Sequence, residues 1–209
     1  VVSASDSRVT IVTGGGSGIG RAVALRLAKR GDRVCLCDRN EQGLRDTAAS
    51  VRSLGGAAKT AVLDVRDRTG VERWCVDVLE KFGKIDCLFS NAGVNARFPV
   101  EAMPLENWLL LLDTHVTGTF NFCQAVLRHM VGRRSGAIVI TSSDYAIVGM
   151  PGAANYAAAK TALYSLTKSL ALEFALYGIR VNAIGPGPID TSLLRAGRTR
   201  RMGGEVSRV

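Results

Sequence analysis

The sequence predicts an α/β fold, a doubly wound and open parallel sheet of about six strands with helices on both faces. Three observations predict it. Six short apolar runs alternate along the chain with longer segments of helical periodicity. Most of these runs are apolar or β-branched at consecutive positions, the pattern of a parallel strand buried on both faces. A glycine-rich turn joins the first run to the first helical segment. Strand, helix and returning strand in this alternation, with right-handed crossovers, build one layered domain.

The elements follow in order. The first strand, "RVTIVT" at 8–13, runs directly into "TGGGSGIG" and then into a helix over about 18–30. Gly14, Gly18 and Gly20 give the spacing G-x-x-x-G-x-G. Glycine there permits a tight turn and removes the Cβ that would hold a pyrophosphate off the backbone. The helix N-terminus offers unpaired N–H groups to the phosphates. The second strand, "RVCLCD" at 33–38, ends on Asp38, eighteen residues beyond Gly20. A carboxylate at that point accepts both hydroxyls of an adenosine ribose and repels a 2′-phosphate. This favours NAD over NADP, with the neighbouring Arg39 leaving some room for the latter. A helix over 41–54, the strand "KTAVLDV" (59–65), a helix over 67–82 and the strand "IDCLFS" (85–90) come next. Then follow a long helix over 105–131, the strand "GAIVIT" (136–141), a helix over 155–177 and the strand "GIRVNAI" (178–184). Tyr156 and Lys160, four residues apart, share one face of that last helix. A positive charge beside a phenol favours its ionised form, so the pair predicts a tyrosine lowered toward neutrality and able to exchange protons.

The totals narrow the classes. At 209 residues, with no linker or composition shift before residue 191, the whole of 1–209 reads as a single domain with a substantial core. The longest apolar stretch, "WLLLL" at 108–112, falls far short of the ~20 residues of a membrane helix. The opening "VVSASDSRV" lacks the basic-then-apolar order of a signal segment. A cytoplasmic protein with no membrane partner is expected. Cys35 and Cys37 flank Leu36 and share a face, but no second ligand pair accompanies them at metal spacing. The five cysteines therefore read as buried thiols, and no metal is expected. The net charge of +9 raises nucleic acid as a partner. Much of it lies at the end of the chain, where Arg195, Arg198, Arg200, Arg201 and Arg208 face only Glu205. No basic–aromatic interleaving accompanies it, so the end is read as solvated and no nucleic-acid partner is expected.

Three further stretches carry a resemblance. These are "SNAGVN" at 90–95, "ITSSDYAIVGMPGAANYAAAK" at 140–160 with Ser143 thirteen residues before Tyr156, and "NAIGPGPIDT" at 182–191. With "TGGGSGIG", and in this order and spacing, they resemble the short-chain dehydrogenase/reductase family over roughly residues 8–191. The resemblance implies a Rossmann-type sheet and an oxidoreductase moving hydride between a nicotinamide cofactor and a secondary alcohol or ketone. It implies that Gly14, Ser17, Gly18, Ile19 and Gly20 cradle the pyrophosphate and that Asp38 reads the ribose. Asp64 and Val65 would meet the adenine, and Asn91, Ala92 and Gly93 the middle of the cofactor. Pro186, Gly187, Ile189 and Thr191 would hold the nicotinamide end, with Tyr156, Ser143 and Lys160 as the catalytic group. Lys160 would also hydrogen-bond the nicotinamide ribose.

Two departures qualify it. His115 stands where the family usually has asparagine, and is either a tolerated core histidine or a proton relay titrating near pH ~6.5. The family also continues past Thr191 through a further helix and a seventh strand. Without them the sixth strand keeps an open edge and residues 192–209 form a mobile, shortened substrate loop. The resemblance then implies a homodimer through the helices at 105–131 and 155–177, and argues against a stable tetramer. The alternative function is a cofactor-binding but catalytically silent protein acting through interactions. Substrate identity stays open.

Overall fold

In the computed structural model, which describes residues 7–195, six strands form one sheet. They are β1 (Val9–Thr13), β2 (Arg33–Asp38), β3 (Ala57–Val62), β4 (Cys87–Ser90), β5 (Gly136–Thr141) and β6 (Ile179–Ile184). All neighbours are parallel, in the order β3-β2-β1-β4-β5-β6. The helices are α1 (Gly18–Lys29), α2 (Glu41–Ser53), α3 (Arg68–Phe82), α4 (Leu105–Leu112), α5 (Gly118–Arg133), α6 (Tyr145–Val148) and α7 (Ala154–Phe174). Side chains explain several boundaries. Asn40 and Asp67 cap α2 and α3 by accepting from the N–H groups of Gly43 and Gly70, and Gly83 closes α3 with a φ of 74°.

One apolar layer packs β1, β2, β4 and β5 against α3, α5 and α7, around Ile11, Trp74, Leu88, Phe122, Ile138 and Leu163. The other packs the opposite face against α1 and α2, around Val12, Ala24, Leu36, Leu44, Val51 and Phe89. Cys35 and Cys37 enter the first layer while Leu36 between them enters the second. The cysteines are free thiols, and burial pushes Cys35, Cys75 and Cys123 up to about 12.

Three expectations need correction. Burial on both faces holds for β1 and β2 but not for β3 or β6, whose side chains are largely exposed or half-buried in β3 and alternate in β6. Both are edges among the described residues, so each lacks a neighbouring strand on one side. Second, β3 starts at Ala57 and stops at Val62, because β2 ends at Asp38 and offers Leu63 only one last carbonyl, at 2.9 Å. Third, the expected long helix at 105–131 is interrupted. A π-helical turn over Asp113–Thr117 separates α4 from α5 and holds His115. The segment at 192–209 is described only to residue 195, where residues 192–195 make a helical turn, and the expectation for the rest lies outside the described residues.

The strand order reverses between β1 and β4. Loops leaving the C-terminal ends of these two strands diverge there and open a crevice, the place where open α/β sheets bind ligands.

Candidate active site

The glycine turn lies at that crevice. Gly14 and Gly18 adopt φ values of 66° and 50°, which a side chain would strain. A Cβ on Gly20 would run into the carbonyl oxygen of Gly14, so the turn closes only with glycine there. Ser17 precedes α1 without a side-chain cap, and the first turn of α1 carries no acidic residue. Its leading N–H groups are thus left for an anion. Asp38 braces the same turn: its Oδ2 accepts from Gly16 N at 2.9 Å and its Oδ1 from Asn40 N at 2.9 Å. Each oxygen keeps acceptor capacity toward the crevice, a cleft of about 650 Å³.

Gly14, Ser17, Gly18, Ile19 and Asp38 line one end of this cleft, with Asp64 and Val65 beside them. Asp64 is held by Arg66 at 2.7 Å and faces Arg39 at 3.7 Å, and the Arg66 hydrogen bond keeps its carboxyl below the usual range. Asn91, Ala92, Gly93 and Thr191 line the other end. The Thr13 hydroxyl fixes that stretch, accepting from Asn91 N at 2.8 Å and Ala92 N at 2.9 Å. Ile19, Asn91, Gly93 and Thr191 also wall a second cavity, which contains Ser143, Tyr156, Lys160, His115, Pro186, Gly187 and Ile189. Glycine turn, carboxylate at a strand end and uncapped helix together fit an adenine dinucleotide, and the cleft leads directly into the second cavity.

Ser143 sits just beyond β5, and Tyr156 and Lys160 on the first turns of α7. The Ser143 hydroxyl donates to Asp144 Oδ1 at 2.9 Å and accepts from Tyr145 N at 3.2 Å. Lys160 is 3% exposed and donates from Nζ to the Thr141 carbonyl at 2.7 Å. Ser142 Oγ in turn donates to the Lys160 carbonyl at 2.7 Å. Burial pushes the Lys160 ammonium down to about 7. Its Nζ lies 5.5 Å from the Tyr156 ring centre.

The expected lowering of Tyr156 is not what this geometry produces. Burial raises the phenol above its ordinary value, a hydrogen bond with Ser143 pulls it back, Asp144 and Tyr145 raise it further, and Arg97 lowers it. The positive charge meant to lower it is itself desolvated and committed to a backbone carbonyl.

His115 is 1% exposed, and its ring meets Tyr156 edge-on with centroids 5.3 Å apart. Its Nε2 lies 2.8 Å from the Val94 carbonyl, which assigns the proton there, while Nδ1 is buried without a partner. Burial, and then the Lys160 charge, push its pKa down to about 3, far from the ~6.5 expected of a relay. The ring also explains Gly93, since a Cβ there would run into His115 Cε1.

Sequence reasoning missed Thr13 as part of this site. Asp144 adjoins Ser143, caps α6 and approaches Pro186, donating from its N–H to that carbonyl at 3.3 Å. The Thr13 contacts join residues 78 and 79 positions apart, a pairing that no local pattern announces.

Known proteins are similar to this chain in sequence and in fold. Residues 8–201 match the family described as short chain dehydrogenase. The chain is 36% identical over 188 residues to the 3-oxoacyl-acyl-carrier-protein reductase of Thermotoga maritima, covering 90% of this chain and 76% of that protein. It superposes on NAD+-bound xylitol dehydrogenase with a TM-score of 0.84 and 42% identity, covering 86% of this chain and 70% of that one. It also superposes on actinorhodin polyketide ketoreductase with NADPH, with a TM-score of 0.94 and 36% identity, covering 100% of this chain and 80% of that one. An extent and identity of this order, on one shared sheet, make the protein an oxidoreductase that belongs to the short chain dehydrogenase family.

Proposed function

We propose that the chain interconverts a secondary alcohol and a ketone with NAD as cofactor and Tyr156 as the general acid and base. The observation that carries this reading is the meeting of two cavities. The cleft with the glycine turn and Asp38 shares walls with the cavity that holds Ser143, Tyr156 and Lys160.

When bound, the nicotinamide cofactor accepts or supplies the hydride. Gly14, Ser17, Gly18, Ile19 and Gly20 would hold its pyrophosphate, Asp38 its adenosine ribose, and Asp64 with Val65 its adenine. Asn91, Ala92 and Gly93 would flank its centre. Lys160 would hold the nicotinamide ribose, and Pro186, Gly187, Ile189 and Thr191 the nicotinamide end. As the phenolate, Tyr156 takes the proton of a substrate hydroxyl, and as the phenol it returns one to a ketone oxygen. Ser143 supports the charge that develops on that oxygen, its own orientation set by Asp144. A Lys160 amine near neutrality in pKa carries a proton for part of the time at working pH, and its charge then favours the phenolate. His115, neutral and hydrogen-bonded to Val94, is a positioning residue for the 93–95 loop and not a relay.

NAD is favoured because the Asp38 carboxylate lines the cleft, whereas Arg39 spends part of its charge on Asp64. The working form is a homodimer through α5 and α7. A groove of about 460 Å³ between them is lined by the exposed Phe120 and the half-buried Val131, Leu170 and Phe174, apolar surface that a second copy would cover.

Titration with NADH and NADPH, followed by nicotinamide fluorescence, tests the reading. Saturable NADH binding with weak NADPH binding is expected, together with NAD-linked turnover in a panel of secondary alcohols. Tighter NADPH binding would reverse the cofactor assignment. Binding of neither would overturn the function.

A further inference from the structure

We infer that Arg97 seats an anionic group of the substrate, so that the site takes alcohols or ketones that carry a carboxylate or phosphate. This rests on the oxidoreductase reading and narrows its substrate class.

Three charged side chains wall the catalytic cavity: Arg97, Asp144 and Lys160. Two of them are spent locally. Lys160 Nζ donates to Thr141, and Asp144 Oδ1 accepts from the Ser143 hydroxyl and the Tyr145 N–H, each at 2.9 Å. Arg97 differs. Its Nε is buried without a hydrogen-bond partner, and among the described residues its guanidinium makes no ion pair. A donor shielded from water and left unmade is costly, and a planar guanidinium fork matches the two oxygens of a carboxylate or phosphate.

The group is also held in place. Phe98 N donates to the Gly152 carbonyl at 2.9 Å, and Asn155 Nδ2 donates to the Ala96 carbonyl at 3.1 Å. These bonds anchor the backbone on both sides of Arg97 to the loop before α7 and to its first turn. The guanidinium carbon lies 5.9 Å from the Tyr145 ring centre, and that ring packs edge-on to Tyr156 at 6.2 Å. A cation one aromatic ring away from the proton-transferring phenol, fixed and unpaired, is arranged for a substrate anion adjacent to the reacting carbon. The charge reaches the phenol as well, lowering it.

Matched probes test this on the full chain saturated with NADH. Acetoacetate is compared with acetoacetamide, and dihydroxyacetone phosphate with dihydroxyacetone, by calorimetric binding and by NADH consumption. At least one acid is expected to bind about tenfold or more tightly than its neutral partner, and the pair that shows it names carboxylate or phosphate as the group. Arg97→Met is expected to abolish that preference and Arg97→Lys to keep part of it, with NADH affinity as the check on folding. No preference in either pair would overturn the inference without recourse to any variant, and so would a preference that survives Arg97→Met. Binding preference without NADH consumption by any probe would instead count against the proposed Tyr156 chemistry on these ketones and leave the anion seat standing.

Discussion

Burial raises the Tyr156 phenol while its hydrogen bond with Ser143 and the charge of Arg97 pull it down. Tyr156→Phe removes the exchangeable proton and little volume. Turnover is expected to fall by about 10²- to 10⁴-fold with NADH binding retained, read by initial rates and fluorescence titration. Retained turnover would remove Tyr156 from the mechanism. Lys160 makes a stability prediction. Its folded pKa, about 7, lies below the unfolded value of ~10.4, so between these the unfolded chain binds more protons and stability rises with pH. The slope from this one group reaches at most ~1.4 kcal/mol per pH unit. In urea melts from pH 7 to 10, wild type should gain stability relative to Lys160→Met, and parallel curves would count against the depressed lysine. His115 has the same sign at lower pH. With a folded pKa of about 3 it costs stability as pH falls from ~6.5, and it stays neutral through pH 6–8. His115→Asn should leave the shape of the turnover profile over pH 6–8 unchanged and soften the loss of stability between pH 6.5 and 4. A shifted turnover profile would restore the relay. Tyr156 and Lys160 were legible as candidates because the pair is local, one helical turn apart, and Ser143 because its motif carries the family resemblance. The direction of the Tyr156 shift was not, because desolvation is supplied by distant segments.

The π turn and the loop after β4 act together at the scale of elements. The extra residue in Asp113–Thr117 seats the His115 ring under Gly93, and the two positions leave each other no spare room. Gly93→Ala is expected to destabilise by about 1–3 kcal/mol, as overpacking does. With His115→Ala the cavity absorbs the added methyl, so the double variant should lose less than the sum of the singles. Strict additivity in urea melts would show that the two do not interact. The helical periodicity of 105–131 announced one helix and concealed its interruption, since an added residue in one turn barely alters an apolar pattern. Strand ends at β3 were misread for a related reason: apolar composition continues through Val65, but pairing stops where β2 stops.

At the scale of the molecule, the sheet order brings the glycine turn, Asp38, the 91–93 loop and the candidate catalytic residues to one crevice. The outer face of α5 and α7 remains, with Phe120 at 43% exposure. Light scattering should find a dimer, and Phe120→Glu should shift it toward monomer at unchanged helicity. A wild-type monomer, or a stable tetramer, would overturn the assignment.

The sequence by itself determined the α/β class, the six strands, the glycine turn and the residues that meet at the site, because periodicity, turn chemistry and motif spacing are local properties. Only the tertiary structure decided which strands are edges, how His115 is neutralised, which way Tyr156 shifts and that, among the described residues, Arg97 Nε is left without a hydrogen-bond partner. Each of those depends on what surrounds a group after segments far apart in sequence have packed, and desolvation and pairing are set there.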